Sequence, residues 1–173
     1  MISIGEPSIG TKAPNGFTAG LLMKSKTKTS GLRFFKQQNP NFSPLFRYPL
    51  EQALAALKTA PVAKDGLKRV RYVNPMNGGP CMSLIDCYML EIGEGETVPV
   101  KSTQSMVCAV VEGTGTTQAG DDSFSWAPKD VFTLPTGAVI RHRAKGTARI
   151  FAVSDREILR RLDLLEESTG ATA

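Results

Sequence analysis

Few side chains in this chain are suited to chemistry: one histidine, His142, and three cysteines, Cys81, Cys87 and Cys108. An imidazole titrates near neutrality, so His142 is a candidate acid, base or anchor for a small acidic ligand. No nucleophile or partnered carboxylate stands at a fixed offset from it, and the competing expectation is a hydrogen-bonded structural histidine. A mononuclear non-haem Fe(II) centre needs three firm protein ligands, commonly His and carboxylate, with open positions for O₂ and substrate. One imidazole per chain excludes a three-histidine site. The cysteines form no CxxC pair, their number is odd, and no secretory leader precedes them, which predicts free thiols in a reducing, cytoplasmic compartment. Gly113, Gly115 and Gly120 do not spell GxGxxG and no helix follows them, so no dinucleotide site is expected.

These residues sit in a chain whose pattern changes twice. Over 1–42 the residues are Gly, Pro, Ser, Thr, Asn and Lys without a sustained period, interrupted only by apolar knots at 20–23 and 32–35. Such a segment lies against a body rather than folding alone. Leu50, Ala53, Leu54 and Leu57 then recur at i, i+3, i+4 and i+7 behind Pro49, which predicts a short amphipathic helix over 49–58. Beyond 61–66 the chain reads as short strands, at 83–92, 104–111, 115–119, 123–126, 131–134, 138–143 and 148–153, separated by segments rich in Gly, Pro or Asp. The stretch 72–80, YVNPMNGGP, is turn chemistry. Short strands at close, even spacing predict an all-β antiparallel sandwich or barrel. Ser154 and Glu157 have the spacing of a capping box, and Ile158, Leu162 and Leu165 share a face, so a C-terminal helix is expected to pack on the β-body or on a neighbouring subunit.

The formal charge of +5 is unevenly placed. Residues 1–60 carry eight Lys/Arg against Glu6 and Glu51, while the remainder is close to neutral. The leading segment is read as a solvated linker with no nucleic-acid partner, because no stacking platform or groove-reading helix accompanies it. The longest apolar stretch, 106–111, is far short of the roughly 20 residues that span a bilayer, and no membrane insertion is expected.

The stretch 93–115, GEGETVPVKSTQSMVCAVVEGTG, followed by 126–142, WAPKDVFTLPTGAVIRH, has the layout of the two cupin motifs, with Pro135-Thr136-Gly137 as PxG. More specifically, RYVNPMNGGP, STQSMVCAVVEG, FSWAPKDVFTLP and FAVSDREILRRLDLL resemble the second cupin half of the gentisate 1,2-dioxygenase family of ring-cleaving bicupins. The resemblance runs over 43–167. It implies an all-β cupin, a double-stranded β-helix or jelly-roll barrel with a short N-terminal and a C-terminal helix, as one domain over 43–167. A linker-like segment over 1–42 and a disordered tail over 168–173 would flank it. No counterpart of the family's first cupin, which carries iron through histidines, is found.

The resemblance also implies vacant ligand positions. Where the family motif places HxH there are Val100 and Ser102, and the histidine of PxGxxH is replaced by Ile140. Val and Ile have no lone pair to offer. No metal or other cofactor is therefore expected, although the resembled family uses Fe(II). His142 lies two residues beyond Ile140 and should share its luminal face, with Arg141 and Arg143 turned outward. Ser102, Gln104, Cys108 and His142 are the candidate pocket-lining residues, with core filling as the alternative for Cys108. Three functions follow in order: a metal-free module acting in assembly as a homo-oligomer, a sensor that holds a small aromatic acid in the emptied lumen, and a gentisate-type dioxygenase relying on a separate iron-bearing cupin.

Overall fold

A computed structural model describes residues 20–21 and 43–170. The chain folds as β1 (Gly20–Leu21), α1 (Leu50–Thr59), β2 (Leu67–Tyr72), β3 (Asp86–Ile92), β4 (Gly95–Glu96), β5 (Val100–Ser102) and β6 (Met106–Glu112). There follow β7 (Gly115–Ala119), β8 (Asp122–Trp126), β9 (Val131–Leu134), β10 (Val139–Ala144), β11 (Ala148–Ser154), α2 (Arg156–Arg161) and β12 (Glu167–Thr169). One sheet has the order β1-β2-β3-β11-β6-β9 and the other β12-β5-β10-β7-β8. Among the described residues every pairing between these strands is antiparallel except β1 on β2, where Gly20 lies opposite Arg71 and Leu21 opposite Tyr72. The first two residues of the first apolar knot thus pair with the sheet edge, while 22 and 23 lie outside the described residues. The basic stretch 24–28 and the second knot, 32–35, lie outside the described residues.

Alternation explains both layers. Along β11, residues 148, 150, 152 and 154 are buried while 149, 151 and 153 are half-buried, the period of two that puts one face against the opposite sheet. The inward face builds a core of Leu90, Ile92, Cys108, Val110, Trp126, Leu134 and Ile150. The outward face of β2 and β3 packs under α1, whose Ala53 and Leu57 are completely buried with Val70 and Met89. Pro49 caps the helix start in extended backbone, as its fixed φ favours. The close approach of β7 to its neighbours explains one glycine. A Cβ on Gly115 would overlap the Arg143 carbonyl oxygen and the ring of Trp126.

Four expectations change. The β2 strand was not anticipated, because Lys68, Arg69 and Arg71 mask its alternation. The capping box does not form: Ser154 Oγ accepts from the Arg156 N–H and donates to Gln104, while Glu157 is buried among three arginines. The last helix stops at Arg161, two residues before Asp163 turns to φ 58°, leaving Leu162 and Leu164 exposed. Finally, residues 168 and 169, expected in a disordered tail, continue β12, with Ser168 opposite Lys101 and Thr169 opposite Val100. The open edge of β5 supplies their backbone partners. Among the described residues no helix is long and apolar enough to cross a membrane.

Candidate functional site: the barrel cavity

Residues of both sheets line a cavity of about 930 Å³. Strand β2 contributes Leu67, Arg69 and Arg71, β5 contributes Val100 and Ser102, and β10 contributes Ile140 and His142. Gln104 and the C-terminal segment, through Arg156, Glu157 and Glu167, complete the wall. Four of the expected pocket residues and vacant positions, Val100, Ser102, Ile140 and His142, are thus brought together, with Gln104 beside them. Cys108 is not: it is 1 % exposed in the core between Phe132 and Ala152, and burial pushes its thiol up to about 12. Its neighbouring strands cover both flanks, so alternation alone could not distinguish core from cavity. Arg141 and Arg143 point outward and reach Glu96 on the surface.

His142 is held by a relay that the sequence did not disclose. It lies directly opposite Thr117 on β7, and its Nδ1 is 2.8 Å from Thr117 Oγ1. The same oxygen accepts the indole N–H of Trp126 at 2.8 Å, and Thr117 is fully buried. A hydroxyl has one proton to donate, and among the described residues its available acceptor is His142 Nδ1. The imidazole therefore keeps its proton on Nε2, which has no partner among the described residues, on a ring that lines the cavity. The backbone N–H of His142 donates to Thr97 Oγ1 at 3.0 Å, fixing the strand. Burial, reinforced by the charge of Arg69 and only partly offset by Asp65, pushes the His142 pKa down to about 4. His142 is a neutral hydrogen-bond donor at physiological pH, not an imidazolium.

The rest of the wall is cationic but paired. Arg69 forms a two-pronged ion pair with buried Asp65. Arg71 meets Asp86 at 2.5 Å and Glu157 at 3.3 Å, and Arg156 meets Glu167 at 2.8 Å. Burial pushes Glu157 up, but hydrogen bonds from Arg160 and Arg161 with the charges of Arg160 and Arg71 outweigh it and hold the carboxyl below its ordinary range. Gln104 braces this end, donating to Glu167 at 3.1 Å and accepting from Ser154 at 2.7 Å. Counting Lys64, five cationic groups line the cavity against three carboxylates, a balance that favours an anionic guest. Thr117, Trp126, Asp65 and Arg69 are the residues that sequence reading missed. The one available signal was the placement of Thr117 and Trp126 on the consecutive expected strands 115–119 and 123–126, where they prove to be diagonal neighbours, and for Arg69 there was none once β2 had been overlooked.

The comparisons with known proteins bear on this geometry. No protein-family model matches the chain. It is 36 % identical over 140 residues to a gentisate 1,2-dioxygenase of Aquipseudomonas alcaligenes, covering 78 % of this chain and 40 % of that protein. It is 31 % identical to a 5-aminosalicylate 1,2-dioxygenase of a Comamonas species, covering 76 % and 37 %. A solved salicylate 1,2-dioxygenase variant from Pseudoaminobacter salicylatoxidans, in complex with gentisate, matches with a TM-score of 0.71 and 25 % identity over 83 % of this chain and 43 % of that one. The chain is related to the gentisate 1,2-dioxygenases. It spans about two-fifths of the length of those relatives, consistent with one cupin half, and the fold is that of cupin dioxygenases.

Gentisate-type dioxygenases are iron enzymes, and the donor set in this lumen does not fit that metal. Ile140 lies directly opposite Val100 across β10 and β5, so at the two positions that the sequence resemblance assigned to ligands hydrocarbon faces hydrocarbon. Ser102 Oγ accepts the Gln104 backbone N–H at 3.2 Å. His142 already spends Nδ1 on Thr117. Among the described residues no three His, Cys, Asp or Glu side chains are grouped to hold an ion.

Proposed function

We propose that this chain is a metal-independent cupin module of the gentisate 1,2-dioxygenase family that acts in assembly and does not cleave rings by itself. The observation that carries the reading is the Val100–Ile140 pair at the ligand positions of the motif. The outer face of the six-stranded sheet supports a role in self-association. Helix α1 covers its β2–β3 end, whereas Val107 and Val131, on adjacent strands, are 48 % and 66 % exposed. A second copy placed on that face would bury them. The three free cysteines support a reducing, cytoplasmic location. Oxygen uptake by the pure chain with gentisate and Fe(II), paired with analytical ultracentrifugation, tests both halves of the proposal. No turnover and a dimer or larger species are expected; turnover, or a strict monomer at high concentration, overturns it.

A second reading is favoured by the cavity itself. The emptied lumen is large enough for an aromatic acid, with the His142 Nε2–H as donor and the excess of cationic groups as the attraction for a carboxylate. Calorimetric titration with gentisate, salicylate and benzoate is expected to give saturable heat that weakens with added salt. No heat at millimolar ligand removes this reading and leaves the assembly role untouched.

A further inference from the structure

The segment beyond α2 walls the barrel cavity without being packed into the body. Asp163 turns the chain at φ 58°, and 164–170 then run along β5. The attachments are polar. The Thr103 N–H donates to the Glu166 carbonyl at 3.0 Å, Thr103 Oγ1 to the Leu164 carbonyl at 2.9 Å, and the Gly170 N–H to the Pro99 carbonyl at 2.8 Å. Leu165, Glu167 and Thr169 line the cavity in the alternation a strand requires. All of β12 is nonetheless exposed, and within 162–170 only Leu165 is half-buried. A strap that buries so little apolar surface, held by hydrogen bonds that water can replace, is among the cheapest parts of a fold to open.

One side chain of that strap reaches into the charge of the cavity. Glu167 accepts from Arg156 Nε at 3.3 Å and Nη2 at 2.8 Å, and from Gln104 Nε2 at 3.1 Å. This two-pronged contact is the one a guanidinium offers any carboxylate. The side chains of the cavity's other carboxylates, Asp65 and Glu157, are 7 % and 1 % exposed, whereas that of Glu167 is 36 % exposed on a strand at the sheet edge. Of the three, Glu167 is the one that can leave. We propose that Glu167 is an internal stand-in for an anionic guest: a small carboxylate entering the lumen takes its place on Arg156, and the strap 164–170 lifts from β5 to admit it. With Glu167 withdrawn, five cationic groups face two carboxylates in the wall, so departure of the strap strengthens the attraction for the guest. The lumen is the cavity already read as a holder of small acids, and the role of Glu167 rests on that reading. Binding and opening are then one event, in which the guest competes with a tethered carboxylate.

Calorimetric titration of the full chain and of E167Q with benzoate, and with uncharged benzamide as the control, tests the proposal. E167Q keeps the length of the side chain and an acceptor oxygen while removing the competing charge. Benzoate should bind E167Q at least about fivefold more tightly than the wild type, as loss of an ion pair of this exposure allows. Benzamide should bind the two proteins alike. Hydrogen exchange gives a second readout: saturating benzoate should speed exchange of the amides in 166–170 of the wild type while those of β11 are not accelerated. Equal benzoate affinity in the two proteins, or slowed exchange in 166–170 on binding, overturns the role of Glu167 and leaves the acid-binding cavity standing. Absence of heat with both proteins overturns the cavity reading and the role of Glu167 together.

Discussion

Lowering the pH should destabilise this protein through one side chain before its carboxylates begin to titrate. In the unfolded chain His142 has its ordinary pKa of 6.5, and in the fold it is pushed down to about 4. Above pH 6.5 the imidazole is neutral in both states and the fold bears no penalty. As pH falls below that value the unfolded state takes up a proton that the folded state refuses, so stability is lost, and the loss levels off near pH 4. The full difference corresponds to about 3 kcal/mol, with about 2 kcal/mol lost between about pH 7.5 and about pH 5. H142Q keeps a neutral polar side chain and removes the titration. Urea unfolding followed by the fluorescence of Trp126, the single tryptophan, reads both proteins at both pH values. The wild type should lose about 2 kcal/mol more than H142Q over that interval. Parallel behaviour of the two proteins, or an imidazole NMR signal titrating near its ordinary value in the folded state, would refute the assignment of His142 as a buried neutral donor.

Other variants probe different layers. T117V leaves the Trp126 N–H and His142 Nδ1 without their shared partner in a buried place, and denaturant melts should show a loss of about 2 to 3 kcal/mol with a red shift in tryptophan emission. L57A empties a completely buried site under α1 and should cost about 3 kcal/mol by chemical denaturation. V131E places a charge on the exposed outer face of β9, and sedimentation should show self-association weakened at least about tenfold while circular dichroism is unchanged.

Periodicity made most of the barrel legible in the sequence. Strands β7 and β9 coincide with the expected 115–119 and 131–134, because glycine or proline bounds each and their alternation is uninterrupted. The placement of Ile140 and His142 on one luminal face followed from a spacing of two residues. The short strands β4, β5 and β12 have too few residues to show a period, and β2 hides it because its inward positions are arginines with buried acidic partners. Those partners, Asp65, Asp86 and Glu157, are distant from one another in sequence and meet only in the folded chain. The Ser154–Glu157 spacing misled for a related reason: Arg71, Arg160 and Arg161 capture Glu157 more strongly than one backbone N–H can. The Thr117 relay is a cross-strand feature, visible only when the register of β7 with β8 and β10 is known.

The central claim is that this cupin half has hydrocarbon where its family's motif places metal ligands. Anaerobic loading of the full chain with Fe(II), followed by desalting and elemental analysis, tests it most directly. The account predicts iron far below stoichiometric and an imidazole NMR signal of His142 unchanged by the metal. One tightly held iron per chain that broadens or shifts that signal would contradict it.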